Sequence, residues 1–318
     1  MKVFYSCNEL GDFLKGGTIA IGNFDGVHLG HQALIHKVNE IKGHHPGGVL
    51  SFEPHIQQFL SPKKDFFRLM SGHHKIQELR NYALDVVVIH ILDRNFLSLS
   101  PAEFVTKILK KQLKVDHVVV GEDFSFGSRA QGNISDLVSL AKKVDIHVHV
   151  VPDLMVEKQR CSSSAIRKNL MSGELNIARC MLGRSYSLFG KVQADQKMGA
   201  QLGFATANLR PLNFYLKRGV YASMTRVFNK DGHQDFLSAT NVGVRPSISA
   251  AEELVVETHC LDQLLELNQK NLEIFFIAFL REEIKFPCLK ALQEQVQKDF
   301  QAVRQLFLLH PHRFDCSH

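Results

Sequence analysis

The chain of 318 residues is 45% hydrophobic and 22% charged, a balance that excludes a mainly disordered or collagen-like protein. Its net charge of +6 is too small and too dispersed to argue for a nucleic-acid partner, and suits an anionic small substrate equally well. The longest strongly apolar run, Ile274–Leu280, falls far short of the ~20 residues that cross a bilayer, so no membrane role is expected. Asn8, Glu9, Gly11 and Asp12 interrupt any leader-like apolar run, which points to a cytoplasmic protein. The 6 cysteines are scattered, without a Cys-x-x-Cys pair, and read as reduced thiols. At about 100–200 residues per domain, the length suggests two domains.

The first half alternates. β-rich runs at Thr18–Phe24, Gly48–Phe52, Val86–Leu92, His117–Gly121 and His147–Val151 are separated by helical stretches near His31–Lys42, His73–Ala83, Pro101–Lys114 and Asn133–Lys142. Ser100-Pro101-Ala102-Glu103 gives one helix a capping serine, a proline at the first position and a glutamate at the third. Such alternation predicts an α/β domain with a parallel sheet covered on both faces, binding ligands at the carboxyl ends of its strands. Ser162–Leu182 reads as one or two helices stopped by Gly183. From Tyr186 onward, short runs at Tyr186–Gln193, Gly219–Phe228, Leu237–Val242, Leu254–Leu261 and Leu272–Leu280 predict a small antiparallel barrel or sandwich. Leu289, Leu292, Val296, Phe300, Val303 and Leu306 recur at helical spacing and predict a terminal amphipathic helix. The domain boundary is placed at 184, giving domains 1–184 and 185–318.

Gly22-Asn23-Phe24-Asp25-Gly26-Val27-His28-Leu29-Gly30-His31 joins the first of these strands to the first helix. A helix N-terminus offers unpaired N–H groups and a positive dipole end, both favourable to phosphate. Gly26 and Gly30 permit tight turns, and His28 and His31 can donate to phosphate oxygens in a transition state. The plain alternative is a glycine turn with two exposed histidines. No Gly-x-Gly-x-x-Gly, P-loop or Gly-x-Ser-x-Gly occurs in the chain. Ser162–Ser164 precede a helix that contains Arg167, a set suited to a polyphosphate or to an ordinary N-cap with a surface arginine. Phe124 and Phe126 alternate after a strand, where they can stack on a flat ring or belong to the core.

Gly22–His31 resembles the loop of His-x-Gly-His nucleotidyltransferases. Its longer form is similar to that of the bacterial bifunctional riboflavin kinase/FMN adenylyltransferase (FAD synthetase) family. Ser51-Phe52-Glu53-Pro54-His55, Gly121-Glu122-Asp123-Phe124-Ser125-Phe126-Gly127 and Ser162-Ser163-Ser164-Ala165-Ile166-Arg167 resemble three further family motifs in the same order. In the second half, Gly203-Phe204-Ala205-Thr206-Ala207-Asn208, Asn241-Val242-Gly243-Val244-Arg245-Pro246 and Val256-Glu257-Thr258-His259 resemble flavokinase motifs. This chain departs from them at Ala194, Ala200 and Ala205, and at Glu266–Gln269, where loop-shaping residues are replaced.

The resemblance implies a Rossmann-like nucleotidyltransferase domain followed by a flavokinase-like β-barrel with a terminal helix. Riboflavin, FMN and ATP are the implied substrates and Mg²⁺ the implied metal ion. Gly22, Asn23, Asp25, His28, His31, Ser164 and Arg167 are the implied nucleotide and phosphate residues, and Asp123, Phe124 and Phe126 the implied flavin contacts. Thr206 and Asn208 are implied to hold metal and nucleotide, and Glu257 to act as general base toward a ribityl hydroxyl. The altered loop leaves open an alternative, an FMN adenylyltransferase whose second domain binds flavin without phosphorylating it.

Overall fold

The computed structural model describes residues 1–60, 67–193, 206–211, 214, 216–246, 252–261, 267 and 269–314. Chain contacts divide the protein into two compact units. One comprises Met1–Phe66 and Ser71–Ser163, the other Phe67–Met70 and Ser164–His318.

The first unit holds a parallel sheet of β1 (Lys2–Phe4), β2 (Thr18–Ile21), β3 (Gly47–Glu53), β4 (Val86–Ile91), β5 (His117–Gly121) and β6 (His147–Val151), in the order β1-β4-β3-β2-β5-β6. The central strands read as continuous apolar runs because both faces are covered. Ile19, Ile21, Leu50, Val88, Val118 and Val120 join Leu109, Leu113 and Leu137 in one buried core. Helices α1 (Leu29–Ile41), α2 (Ile56–Leu60), α3 (Gly72–Leu79), α4 (Arg94–Ser98), α5 (Pro101–Glu103) and α6 (Ile134–Lys142) lie between the strands. α5 continues as a wider π-type helix over Phe104–Leu113. The anticipated capping box is present in full, Ser100 and Glu103 each bonding the other's backbone N–H. β1 and a small hairpin, β7 (Met155–Val156) with β8 (Gln159–Arg160), carry too few residues to show a period and were not expected from the sequence.

The strand order reverses at β2. From there the chain runs outward through β3 and β4, then returns to β5 on β2's other side. The crevice beyond the carboxyl ends of β2 and β5 is therefore the topological switch point, the usual ligand position in such sheets. The Gly22–His31 loop follows β2, and the Gly121–Gly127 loop follows β5.

The long segment of the second unit starts inside α7 (Ser163–Ser172) and continues through α8 (Leu175–Leu182), which Gly183 ends in the left-handed conformation at φ 77°. Its strands are β9 (Tyr186–Lys191), β10 (Thr206–Leu209), β11 (Gly219–Asn229), β12 (Gly232–Pro246), β13 (Glu252–Cys260) and β14 (Asn271–Arg281). They form an antiparallel sheet in the order β10-β13-β12-β11-β14-β9. A single bridge, Gln193 with Asn208, joins the two edges, so the sheet curls into a small barrel. One face packs Val220, Ala222 and Ala239 against Val296, Phe300 and Val303 of α9 (Leu289–Leu309). The other face carries Ser223, Thr225, Ser238, Thr240 and Thr258, all at 0% exposure. Their hydroxyls bond one another over 2.7–3.0 Å. Among the described residues the cysteines are free thiols, and no helix is long and apolar enough to cross a membrane.

Candidate functional site

The loop between β2 and α1 is held from behind at alternate carbonyls. Asn23 O accepts from Ser51 Oγ at 2.9 Å and from Lys75 Nζ at 2.8 Å. Asp25 O accepts from Ser163 Oγ at 2.8 Å, and Val27 O from Gln32 Nε2 at 2.9 Å. In a trans peptide the next N–H points opposite the carbonyl, so each tether turns an amide toward the other side of the loop. The backbone needed for this is unfavourable: Phe24 and Val27 sit at φ 48° and 40°, with Gly26 at 87°. Two non-glycine residues in that region, one β-branched, cost about 1–3 kcal/mol each and persist only where tertiary contacts impose them.

His28 is the N-cap of α1, its Nδ1 accepting from His31 N–H at 3.3 Å. In the neutral ring the proton is then on Nε2. The His28 and His31 rings stack with centroids 3.7 Å apart, and Phe24 lies 5.0 Å from His31. Burial drives the His31 pKa well below the ordinary histidine value, helped by the charges of His28, Lys75 and His55. His31 Nδ1 and Asn23 Oδ1 are closed to solvent and have no hydrogen-bond partner among the described residues. Such orphaned polar atoms are expensive unless a ligand completes them. A Cβ on Gly30 would lie 3.1 Å from the His28 ring, so glycine there keeps the imidazole in place. Gly22, Asn23, Asp25, His28 and His31 are thus brought together on one loop at the switch point.

The remaining candidates of the first half are distributed differently. Ser164 is exposed in the first turn of α7, and Arg167 is half-buried, its Nε donating to Phe67 O. Both belong to the second unit. Ser163 and Ser164 are helical residues rather than a segment preceding the helix. Asp123 pairs with Arg160 at 2.6 Å, and Arg160 also pairs with Asp153. Phe126 requires a correction. It is 6% exposed, packs on Phe104 at 5.5 Å and fills the space beside Gly132, so its ring is core. Phe124, stacked on Phe126 at 5.6 Å, is the one that keeps a partly exposed ring.

In the barrel, strand register assembles the second set. Asn208 of β10 lies opposite Glu257 of β13, and Glu257 opposite Asn241 of β12. Opposed residues share a face, so three polar side chains from three strands line up. Thr206 and His259 form the next pair on that face, two residues along each strand. Asn208 is buried, and among the described residues its Oδ1 has no hydrogen-bond partner. His259 Nδ1 likewise has no partner among the described residues, and burial lowers its pKa against the pull of Glu257 and Asp299. Asn241 Nδ2 reaches Glu283 Oε1 at 3.5 Å. An orphaned amide oxygen beside a carboxylate suits a hard cation, which takes oxygen donors. The Thr206 side chain, Ala194, Ala200, Ala205 and the segment Glu266–Asn268 apart from Leu267 lie outside the described residues.

Lys75 lies outside the sequence motifs, and Ser51, Asn241 and His259 lie within motifs without a role of their own there. A lysine within a helix ordinarily reads as solvated, and only the shared stripe of His74, Lys75, Glu78 and Leu79 on α3 hints otherwise.

Comparison with known proteins matches residues 12–165 to a family model described as FAD synthetase and residues 182–307 to one described as riboflavin kinase. A curated relative in Buchnera aphidicola, a bifunctional riboflavin kinase/FMN adenylyltransferase, is 33% identical over 97% of this chain and 100% of its own length. One of the same description in Listeria monocytogenes is 35% identical, over 91% of this chain and 92% of its own. The chain belongs to the bifunctional riboflavin kinase/FMN adenylyltransferase family. A solved structure described as a macrolide-efflux protein from Streptococcus pneumoniae shares the fold, with TM-score 0.83 and 23% identity over 95% of this chain and 98% of that one. Within the family's two matched segments fall the two constellations described above, the His28–His31 loop in the first and the Asn208–Glu257–Asn241 row in the second.

Proposed function

We propose that this chain makes both flavin nucleotides, phosphorylating riboflavin to FMN with ATP and adenylylating FMN to FAD. The observation that carries the reading is the co-occurrence in one chain of a tethered His-x-Gly-His loop at the switch point and a carboxylate–amide row on a barrel sheet. Residues 1–184 are assigned to adenylyl transfer and 185–318 to phosphorylation, in a cytoplasmic enzyme.

In adenylyl transfer, an FMN phosphate oxygen attacks the α-phosphorus of ATP. The bond from that phosphorus to the bridging oxygen breaks, and pyrophosphate leaves. Gly22, Asn23, Asp25, His28 and His31 hold the triphosphate and meet the charge that grows between the two anions. No covalent protein intermediate is needed. Phe124 is the flavin-stacking candidate, with Asp123 beside it. In phosphorylation, Glu257 accepts the proton of the ribityl hydroxyl while its oxygen attacks the γ-phosphorus and ADP leaves. Thr206 and Asn208 are the residues that would hold Mg²⁺, which supplies charge neutralisation of the phosphates when bound.

Chromatography of products from riboflavin, ATP and Mg²⁺ tests the reading. Accumulation of FMN and then FAD is expected. Chelation should stop both steps, and added Mg²⁺ should restore them. FAD formed from FMN but never from riboflavin would reduce the protein to an adenylyltransferase with a flavin-binding module.

A further inference from the structure

Lys75 is a lysine with 1% exposure, buried in the first unit and outside every motif that the sequence singled out. It stands on α3, whose start is fixed by Ser71 accepting from His74 N–H at 3.2 Å. Its Nζ donates to Asn23 O at 2.8 Å and to Ser51 Oγ at 2.9 Å, while Ser51 Oγ donates to the same Asn23 O at 2.9 Å. Lysine, serine and one loop carbonyl therefore close a three-membered ring of hydrogen bonds directly behind the loop.

Charge-assisted bonds are roughly twice as strong as neutral ones, and Lys75 supplies the charged donor among the three tethered carbonyls. Asn23 also immediately precedes Phe24, the first residue at positive φ. With the Asn23 carbonyl pulled inward, planarity turns the Phe24 amide outward. The Asn23 side chain, whose Oδ1 is, with His31 Nδ1, an orphaned atom of the loop among the described residues, departs from the same anchored residue.

We propose that Lys75 is a positioning residue for adenylyl transfer. Its ammonium pins the Asn23 carbonyl and thereby sets the phosphate-facing side of the Gly22–His31 loop. The role rests on the adenylyl-transfer reading of that loop. Lys75 acts through the backbone, so its loss disturbs alignment in the transition state more than ground-state binding of ATP. A displacement of about 1 Å in such a group costs on the order of 10²-fold in rate.

The test uses the full chain and follows FAD formation from supplied FMN, with FMN formation from riboflavin measured in parallel. Lys75→Met should lower kcat for FAD formation about 10²-fold while the KM for ATP changes by less than about 3-fold. Ser51→Ala should lower kcat by a smaller factor. The double variant should fall no further than about 2-fold below Lys75→Met, because both act through one carbonyl. A Lys75→Met enzyme with wild-type kcat would overturn the proposal, as would a rise in KM alone or effects that multiply in the double variant. Should Lys75→Met not fold, Ser51→Ala and Lys75→Gln decide, and unchanged kcat in both sinks the idea. Wild-type protein that makes no FAD from FMN would instead defeat the functional reading itself.

Discussion

The two constellations are built by opposite means. The loop after β2 gathers its groups from ten consecutive residues, and its shape is imposed by tethers from Ser51, Lys75, Gln32 and Ser163. The barrel row takes one residue from each of three strands and owes its alignment to register alone. A loop site can be retuned through its tethers without touching a ligand group. A register site cannot, since a one-residue slip sends every side chain to the other face.

The largest effect expected from breaking this comparison is at the barrel. Glu257→Gln keeps size and most hydrogen bonding but removes the base, so FMN formation should fall about 10²–10⁴-fold. FAD formation from supplied FMN should be unchanged. Equal loss of both activities in a folded variant would argue against two separate sites. In the loop, His28→Ala or His31→Ala should lower FAD formation about 10²–10³-fold and spare FMN formation, by analogy with removal of an oxyanion donor. Product assays on the purified variants check both halves.

Two adjacent aromatic residues sharpen the distinction between scaffold and site. Phe126→Ala should destabilise the first unit by about 3–5 kcal/mol, as loss of a buried phenyl ring does. Phe124→Ala should cost about 1 kcal/mol or less of stability but raise the KM for FMN. Urea titration and steady-state kinetics separate the two outcomes.

The smallest effect is on pH-dependent stability. Burial lowers the pKa of His31, His90, His117 and His149 in the first unit and of His259 in the second. A histidine whose folded pKa is depressed binds fewer protons than in the unfolded chain. Its neutral form therefore supports the fold above the ordinary value near 6.5, and that support is lost as pH falls from there toward the folded pKa. Among the described residues the first unit carries more of these groups. Its urea midpoint should drop further than that of the barrel between about pH 7.5 and about pH 5.5. Parallel behaviour of the two units would count against the burial of these rings.

The parallel-sheet strands were readable because β3, β4 and β5 each carry a short apolar run, Val49–Leu50, Val86–Ile89 and Val118–Val120, between helices, and the His28–His31 loop because its chemistry is contiguous. Gly183 was readable as a stop because a left-handed residue there favours glycine. Lys75 was not, because burial of a lysine depends on acceptors 24 and 52 residues away. Phe126 was equivocal, since alternation places both rings of Phe124-Ser125-Phe126 on one side and does not say which is covered. The row around Glu257 was visible as separate motifs. Their convergence depends on which residue of β10 faces which residue of β13, a matter of pairing that one strand's sequence does not contain.

The hydroxyl cluster of the barrel has a consequence for how the protein can change over time. Ser223, Thr225, Ser238, Thr240 and Thr258 each serve as partner to at least one other. The contacts close a ring, so exchanging one member for an aliphatic residue leaves each of its two neighbours with one hydroxyl partner instead of two. A buried donor or acceptor left unmet there costs about 1–3 kcal/mol. Exchanging all of them for well-fitting aliphatic residues removes the demand altogether and is close to neutral. The barrel's interior thus has two acceptable states separated by unstable intermediates. A lineage that began with the polar interior is held there by the order in which substitutions arrive, whatever the merit of the apolar alternative.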